Sequence, residues 1–200
     1  MSGIGEQRRD GDAGPSETTE APRSPRPWVR RSERGRRVRV RLHLDEEDGV
    51  ILLDDRRIPG TRDTIACIAV SPAGVFVIDT KNYKGFVHVK RPGPMSGLGP
   101  DELYVGRRNC TRSLERVIVG RAVVGEVLGS TPWGAGVPIQ PMLCLTRAEW
   151  GVASAIAVGE VWVGWPKLLG PRIRSQAVID SSTIEEVCRL ITDRVPTSSA

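Results

Sequence analysis

Two hundred residues are enough to bury one sizeable core with tails to spare, so a single domain is expected. A formal charge of +5, from 29 basic and 24 acidic side chains, leans towards an acidic partner such as nucleic acid. Four cysteines without a C-x-x-C pair and only two histidines, His43 and His88, give a zinc site no support, and the lack of a long apolar run predicts a cytoplasmic chain without membrane span or signal peptide.

Residues 1–27 are dominated by Gly, Ser, Thr, Glu, Asp, Arg and Pro, with almost nothing to bury, and are expected to be a disordered arm. From Trp28 the composition changes: Arg30, Arg31, Arg34, Arg36, Arg37, Arg39 and Arg41 face one acid, Glu33. This is the strongest local charge in the chain, fit for phosphate or for a solvated face, and no aromatic ladder accompanies it. Val38, Val40, Leu42 and Leu44 alternate with Arg37, Arg39, Arg41 and His43, which by itself reads as a strand.

A short buried strand is expected at 50–53, closed by the Pro59-Gly60 turn. Strands at 64–70 and 75–81 read as an antiparallel hairpin around Ser71-Pro72-Ala73-Gly74, with a further strand at 86–90. Residues 91–100, full of Pro and Gly, form a loop before a short strand at 102–105. The spacing of Leu114, Val117, Ile118, Val127 and Leu128 predicts a helix over 113–128, weakest at Gly120 and Gly125. Residues 137–145 read as a strand interrupted by Pro141, and 158–163 as another. A short helix at 166–169 and one at 182–191, with Ser181, Ser182 and Thr183 as capping candidates, precede a flexible tail at 195–200. Strands, helix, strands and helices in that order favour an α/β layer fold.

The segment Gly74-Val75-Phe76-Val77-Ile78-Asp79-Thr80-Lys81-Asn82-Tyr83-Lys84-Gly85 carries the most chemistry. Strand side chains repeat every two residues, so Asp79 and Lys81 point to one side of the sheet. A carboxylate beside an ammonium can hold a divalent metal and steady a phosphate or a water, which is nuclease-like chemistry. The plain alternative is an ordinary Asp-x-Lys at the exposed end of a hairpin strand. His43 and His88 have no second ligand at metal spacing and read as surface histidines.

Leu53-Asp54-Asp55-Arg56-Arg57-Ile58-Pro59-Gly60, then Ile65-Ala66-Cys67-Ile68-Ala69-Val70 and the Gly74–Gly85 segment, resemble the nuclease-related domain (NERD) family. The resemblance runs on through Leu103-Tyr104-Val105-Gly106-Arg107 and Pro141-Met142-Leu143-Cys144-Leu145 with Trp150, covering roughly 28–191 within an expected domain of 28–194. It implies a fold similar to the PD-(D/E)XK nucleases, a central mixed β-sheet flanked by helices, with a helix where the arginine-rich segment alternates. It also implies Mg²⁺-dependent processing of DNA, with Asp79 and Lys81 as catalytic residues and Asp79 as the metal ligand. Arg30, Arg31, Arg34, Arg36, Arg37 and Lys84 are the expected nucleic-acid contacts.

The chain departs from the family pattern at several places. Arg36 stands where a first-helix glutamate is expected, Ala66 where a strand aspartate is expected, Cys67 where histidine is usual, and a glutamine position falls near Gly120. Mg²⁺ asks for near-octahedral oxygen ligation, commonly from more than one carboxylate, so Asp79 alone would bind it weakly. The nearest substitutes are Asp63, which fits only if a bulge intervenes, and Glu33, one turn from Arg36 on a similar face if that segment is helical; neither rescue is expected. A metal-dependent nuclease and a noncatalytic nucleic-acid-binding module both remain, with the expectation tilted towards reduced or lost cleavage. A core with no nucleic-acid role is the third and weakest reading.

Overall fold

The computed structural model describes residues 33–44, 49–91, 99–151 and 154–198. The expected arm 1–27 and the candidate contacts Arg30 and Arg31 lie outside the described residues, as do the side chains of Arg34 and of Glu33, the substitute carboxylate weighed for the Arg36 position. In chain order the elements are α1 (Glu33–Leu42), β1 (Ile51–Arg57), β2 (Thr64–Ser71), β3 (Gly74–Lys90), β4 (Glu102–Val105), β5 (Arg108–Asn109), α2 (Thr111–Gly129), β6 (Ile139–Glu149), β7 (Ile156–Val158), β8 (Val161–Gly164), α3 (Pro166–Ile173) and α4 (Ser181–Arg194).

The sheet runs β1-β2-β3-β6-β8-β7, with β4 and β5 attached to the far half of β3. β1, β2 and β3 form an antiparallel meander, β3, β6 and β8 are parallel, and β7 turns back against β8. The expected α/β class therefore holds: a mixed sheet with helices on both faces. Strand alternation feeds two cores. Val75, Val77, Leu143 and Leu145 pack with α2 and α4, whereas Phe76, Ile78, Met142 and Cys144 pack with α1 and α3.

The arginine-rich segment is helical, as the resemblance implies and against its own alternation. Val38 and Leu42, four residues apart, are buried on one helical face, while Val40 between them is 68% exposed. His43, with φ 51°, ends the helix, and the Leu44 amide donates to the Arg39 carbonyl at 3.0 Å in a Schellman-type closure. The period of two in the sequence is thus shared between a helical pair, an exposed valine and a buried Leu44 just past the cap.

The hairpin expected between 64–70 and 75–81 is present, paired from Val70↔Val75 down to Cys67↔Ile78. Gly74 is required at its turn: φ is +126°, and a Cβ there would meet the Pro138 carbonyl oxygen at 2.7 Å. The two strands expected at 75–81 and 86–90 are one strand of 17 residues. A register shift against β6 between Lys81 and Lys84 bends it without breaking it.

The strand at 158–163 proves to be a hairpin, β7 and β8, turned at Gly159 with φ +57°. Pro141 does not interrupt β6, because β8 pairs only from Met142 onward and no ladder donor is needed on that side. The α4 cap is Asp180, whose carboxylate accepts from the Thr183 amide at 2.7 Å; Ser181, Ser182 and Thr183 form the first turn instead. That hydrogen bond pulls the Asp180 carboxyl below its ordinary value. The chain end expected as a flexible tail is tied down as far as Ser198: Val195 is buried, and the Ser198 amide donates to the Asp55 carbonyl at 2.8 Å. Among the described residues, no helix is long and apolar enough to cross a membrane.

Candidate functional site

The β2–β3 ladder ends at Cys67↔Ile78, although β2 continues to pair with β1 as far as Arg57↔Thr64 and β3 continues beside β6. The two strands part there, and a cavity of about 310 Å³ opens between them. Asp79, Thr80 and Lys81 line it from β3, Thr64, Ile65 and Ala66 from β2, Arg37 and Arg41 from α1, and Arg116 from α2. Helices from both layers therefore deliver cations to one split in the sheet.

Asp79 and Lys81 lie on the same side of β3, as the strand period requires. The Lys81 Nζ sits 2.7 Å from Asp79 Oδ2 and donates to Oδ1 at 3.0 Å, bridging both carboxylate oxygens. The side chains are only 11% and 21% exposed, so the pair is held at the wall of the cavity and is no solvated hairpin end. Ala66, the next β2 residue after the last paired one, also lines the cavity and brings a methyl group where a second carboxylate was expected.

The other sequence candidates divide. Arg37 reaches the cavity, whereas Arg36 is exposed and does not line it. Lys84 is exposed beyond the register shift and stands apart from the cavity. Asp63 lies in the β1–β2 turn, its amide donating to Thr61 Oγ1 and its carbonyl accepting from Ile58, so it does not replace Ala66. Gly120 is a packing position: a Cβ would come within 2.9 Å of Val77 Cγ1, so α2 lies too close to the sheet for a side chain there.

Sequence reasoning missed Arg116, and it placed Arg41 in the basic stretch without assigning it to the site. Arg116 is four residues before Gly120, one turn along the same helix, and helical periodicity measured from the glycine would have found it. Among the described residues, neither Arg41 nor Arg116 makes an ion pair or a hydrogen bond. Burial pushes the Cys144 thiol up to about 12, and the Arg41 charge opposes the rise.

The charge pattern tests the expected metal. Asp79 is the sole carboxylate among the cavity-lining residues, it is bridged by Lys81, and three arginines share the same walls. Among the described residues no group of three His, Cys, Asp or Glu side chains could hold a metal ion. A dication here would meet one carboxylate and four cations, so the described residues do not fit Mg²⁺. They do fit an anion with several oxygens, such as a phosphodiester, because arginine offers paired donors that match phosphate.

Residues 30–102 match the family model of the nuclease-related domain, NERD. The match spans α1 through β3, and with them Arg37, Arg41, Ala66, Asp79 and Lys81; α2 with Arg116 lies beyond it. No curated protein and no solved structure matches the chain.

Proposed function

We propose that this nuclease-related domain binds the phosphate backbone of DNA in the split between β2 and β3, and that it does not cut the strand. One observation carries the reading: the acid of the acid-x-Lys pair is clamped by its own lysine and surrounded by Arg37, Arg41 and Arg116. Guanidinium groups can take a phosphate oxygen pair in a forked geometry, and the largely covered Lys81 adds a contact that water screens less than one on open surface. Asp79 then serves to hold Lys81 in one place and to temper the positive charge when no phosphate is bound. The exposed Arg36 on α1 and Lys84 on β3 extend the same charge along a strand of DNA.

Cleavage is the competing reading, in which Asp79 would be the Mg²⁺ ligand and Lys81 would orient water or stabilise charge on the phosphate. A single experiment separates them. Linear, nicked and single-stranded DNA are incubated with the protein in Mg²⁺ or Mn²⁺, beside Asp79→Ala and Lys81→Ala. Metal-dependent cutting lost in either variant overturns the binding-only reading. Binding without cutting, seen as an electrophoretic shift that weakens steeply with added salt, is the expected result, and the absence of both cutting and any shift at low salt removes both readings.

A further inference from the structure

Beside the phosphate cleft lies a second recess of about 460 Å³, lined by Arg41, His43, Thr146, Trp150, Trp165 and Lys167 among others. Arg41 lines both, so the two spaces adjoin at one side chain. The recess sits at the carboxyl ends of the parallel strands β6 and β8, since Thr146 and Trp150 come from the end of β6 and Trp165 directly follows β8. Ligands of open α/β sheets bind at that edge, and the size is that of a small-molecule pocket, about 300–1,000 Å³.

Its chemistry is specific. The Trp150 and Trp165 rings stand 5.0 Å apart between centroids and tilted by 55°, both half-buried. Among the described residues Trp150 Nε1, itself buried, has no hydrogen-bond partner, although an indole N–H ordinarily finds an acceptor. Arg41 and Lys167 supply positive charge, and among the described residues no carboxylate lines the recess. On the α1 side of the wall Arg174 Nη1 donates to the His43 carbonyl at 3.0 Å. An aromatic wall and a cationic rim suit a flat ring joined to a phosphate.

We infer that the Trp150–Trp165 recess seats one unstacked base of single-stranded DNA whose adjoining phosphate lies in the Arg41 cleft. The inference rests on the phosphate-binding reading and adds to it a substrate class. In a duplex both faces of each base are covered by its neighbours, so a base enters such a recess only from a single strand or after flipping out. Backbone contacts alone would not separate single from double strands by this route.

The test uses the full chain and fluorescence anisotropy at low salt, with a labelled oligo(dT) of about twelve nucleotides, the same backbone carrying abasic sites, and a duplex of equal length. Stacking on an aromatic side chain is a sequence-tolerant contact, and its loss is expected to lower affinity by roughly tenfold or more. Oligo(dT) should therefore bind at least about tenfold tighter than the abasic strand and quench tryptophan emission, while the abasic strand should not. Trp165→Ala should erase the preference, and Trp165→Phe should keep most of it. Equal binding of oligo(dT) and the abasic strand, or a preference that survives Trp165→Ala, overturns the base pocket and leaves the phosphate cleft standing. No binding of any of the three DNAs overturns both. If Trp165→Ala fails to fold, the abasic comparison on the parent protein decides alone.

Discussion

β1 and β3 each carry an acid and a base two residues apart: Asp54 and Arg56 on one, Asp79 and Lys81 on the other. In sequence the two patterns are alike, an acid with a cation two residues further along the strand. Arg56 is 1% exposed, donates from Nη1 to the Val195 carbonyl at 3.3 Å, and knits β1 to the chain end after α4. Burial pulls its guanidinium below the ordinary range, and the Asp54 charge opposes that. Asp54 also accepts from the Cys67 thiol, which burial above all, and then the Asp54 charge, pushes well up. Asp79 and Lys81 sit at a wall where the strands have parted, open to a cavity with three further cations. The difference teaches that an acid-x-base pair is enclosed when the ladder closes over it and faces a cavity when the ladder ends beside it.

Four measurements break or sharpen that contrast. Arg56→Met should remove a buried charge and strand Asp54, lowering stability by about 3–5 kcal/mol in urea unfolding, while the DNA affinity of the folded fraction changes less than about twofold. A mild stability loss would mean the buried pair is not structural cement. Gly120→Ala comes next, because the new methyl meets Val77 and pushes α2 away from the sheet. About 1–3 kcal/mol should be lost, and DNA affinity should fall as well because α2 carries Arg116; unchanged affinity would detach Arg116 from the site.

Lys81→Ala should cost about 1–3 kcal/mol of stability because it leaves the buried Asp79 carboxylate without its donor, and Arg116→Ala less than about 1 kcal/mol because that side chain is exposed and screened. Each should nonetheless flatten the slope of log affinity against log salt by about one unit, read from anisotropy titrations over a range of salt. Asp79→Asn should have the smallest effect, tightening DNA binding by a few-fold at low salt, because a negative charge leaves a phosphate site. Weaker binding by Asp79→Asn would show that the carboxylate's hold on Lys81 outweighs its repulsion of phosphate.

Much of the scaffold was legible from local pattern. The hairpin of β2 and β3 follows from two apolar runs around Ser71-Pro72-Ala73-Gly74, and α2 and α4 from apolar residues at helical spacing. The common side of Asp79 and Lys81 follows from the strand repeat alone. The α1 segment was not legible from its period, because Val40 mimics a strand position while being left in solvent. Arg116 was not found because it lies 35 residues from Lys81 in the chain and reaches the cavity only through the way α2 crosses the sheet. The hairpin of β7 and β8 hid behind an apolar run whose glycine turn takes only two residues.

By itself the sequence determined the α/β class, the meander that presents the acid and its lysine, and the concentration of arginines near one end of the domain. These depend on neighbours within a few residues, where side-chain direction and turn chemistry are set by backbone geometry. Only the tertiary structure decided that β2 leaves β3 after Cys67, that Ala66 and three arginines share the resulting space with Asp79, and that two tryptophans stand next to it. Such meetings join residues far apart in the chain, and they are fixed by where a ladder ends and how closely helices pack on a sheet, neither of which leaves a local period to read.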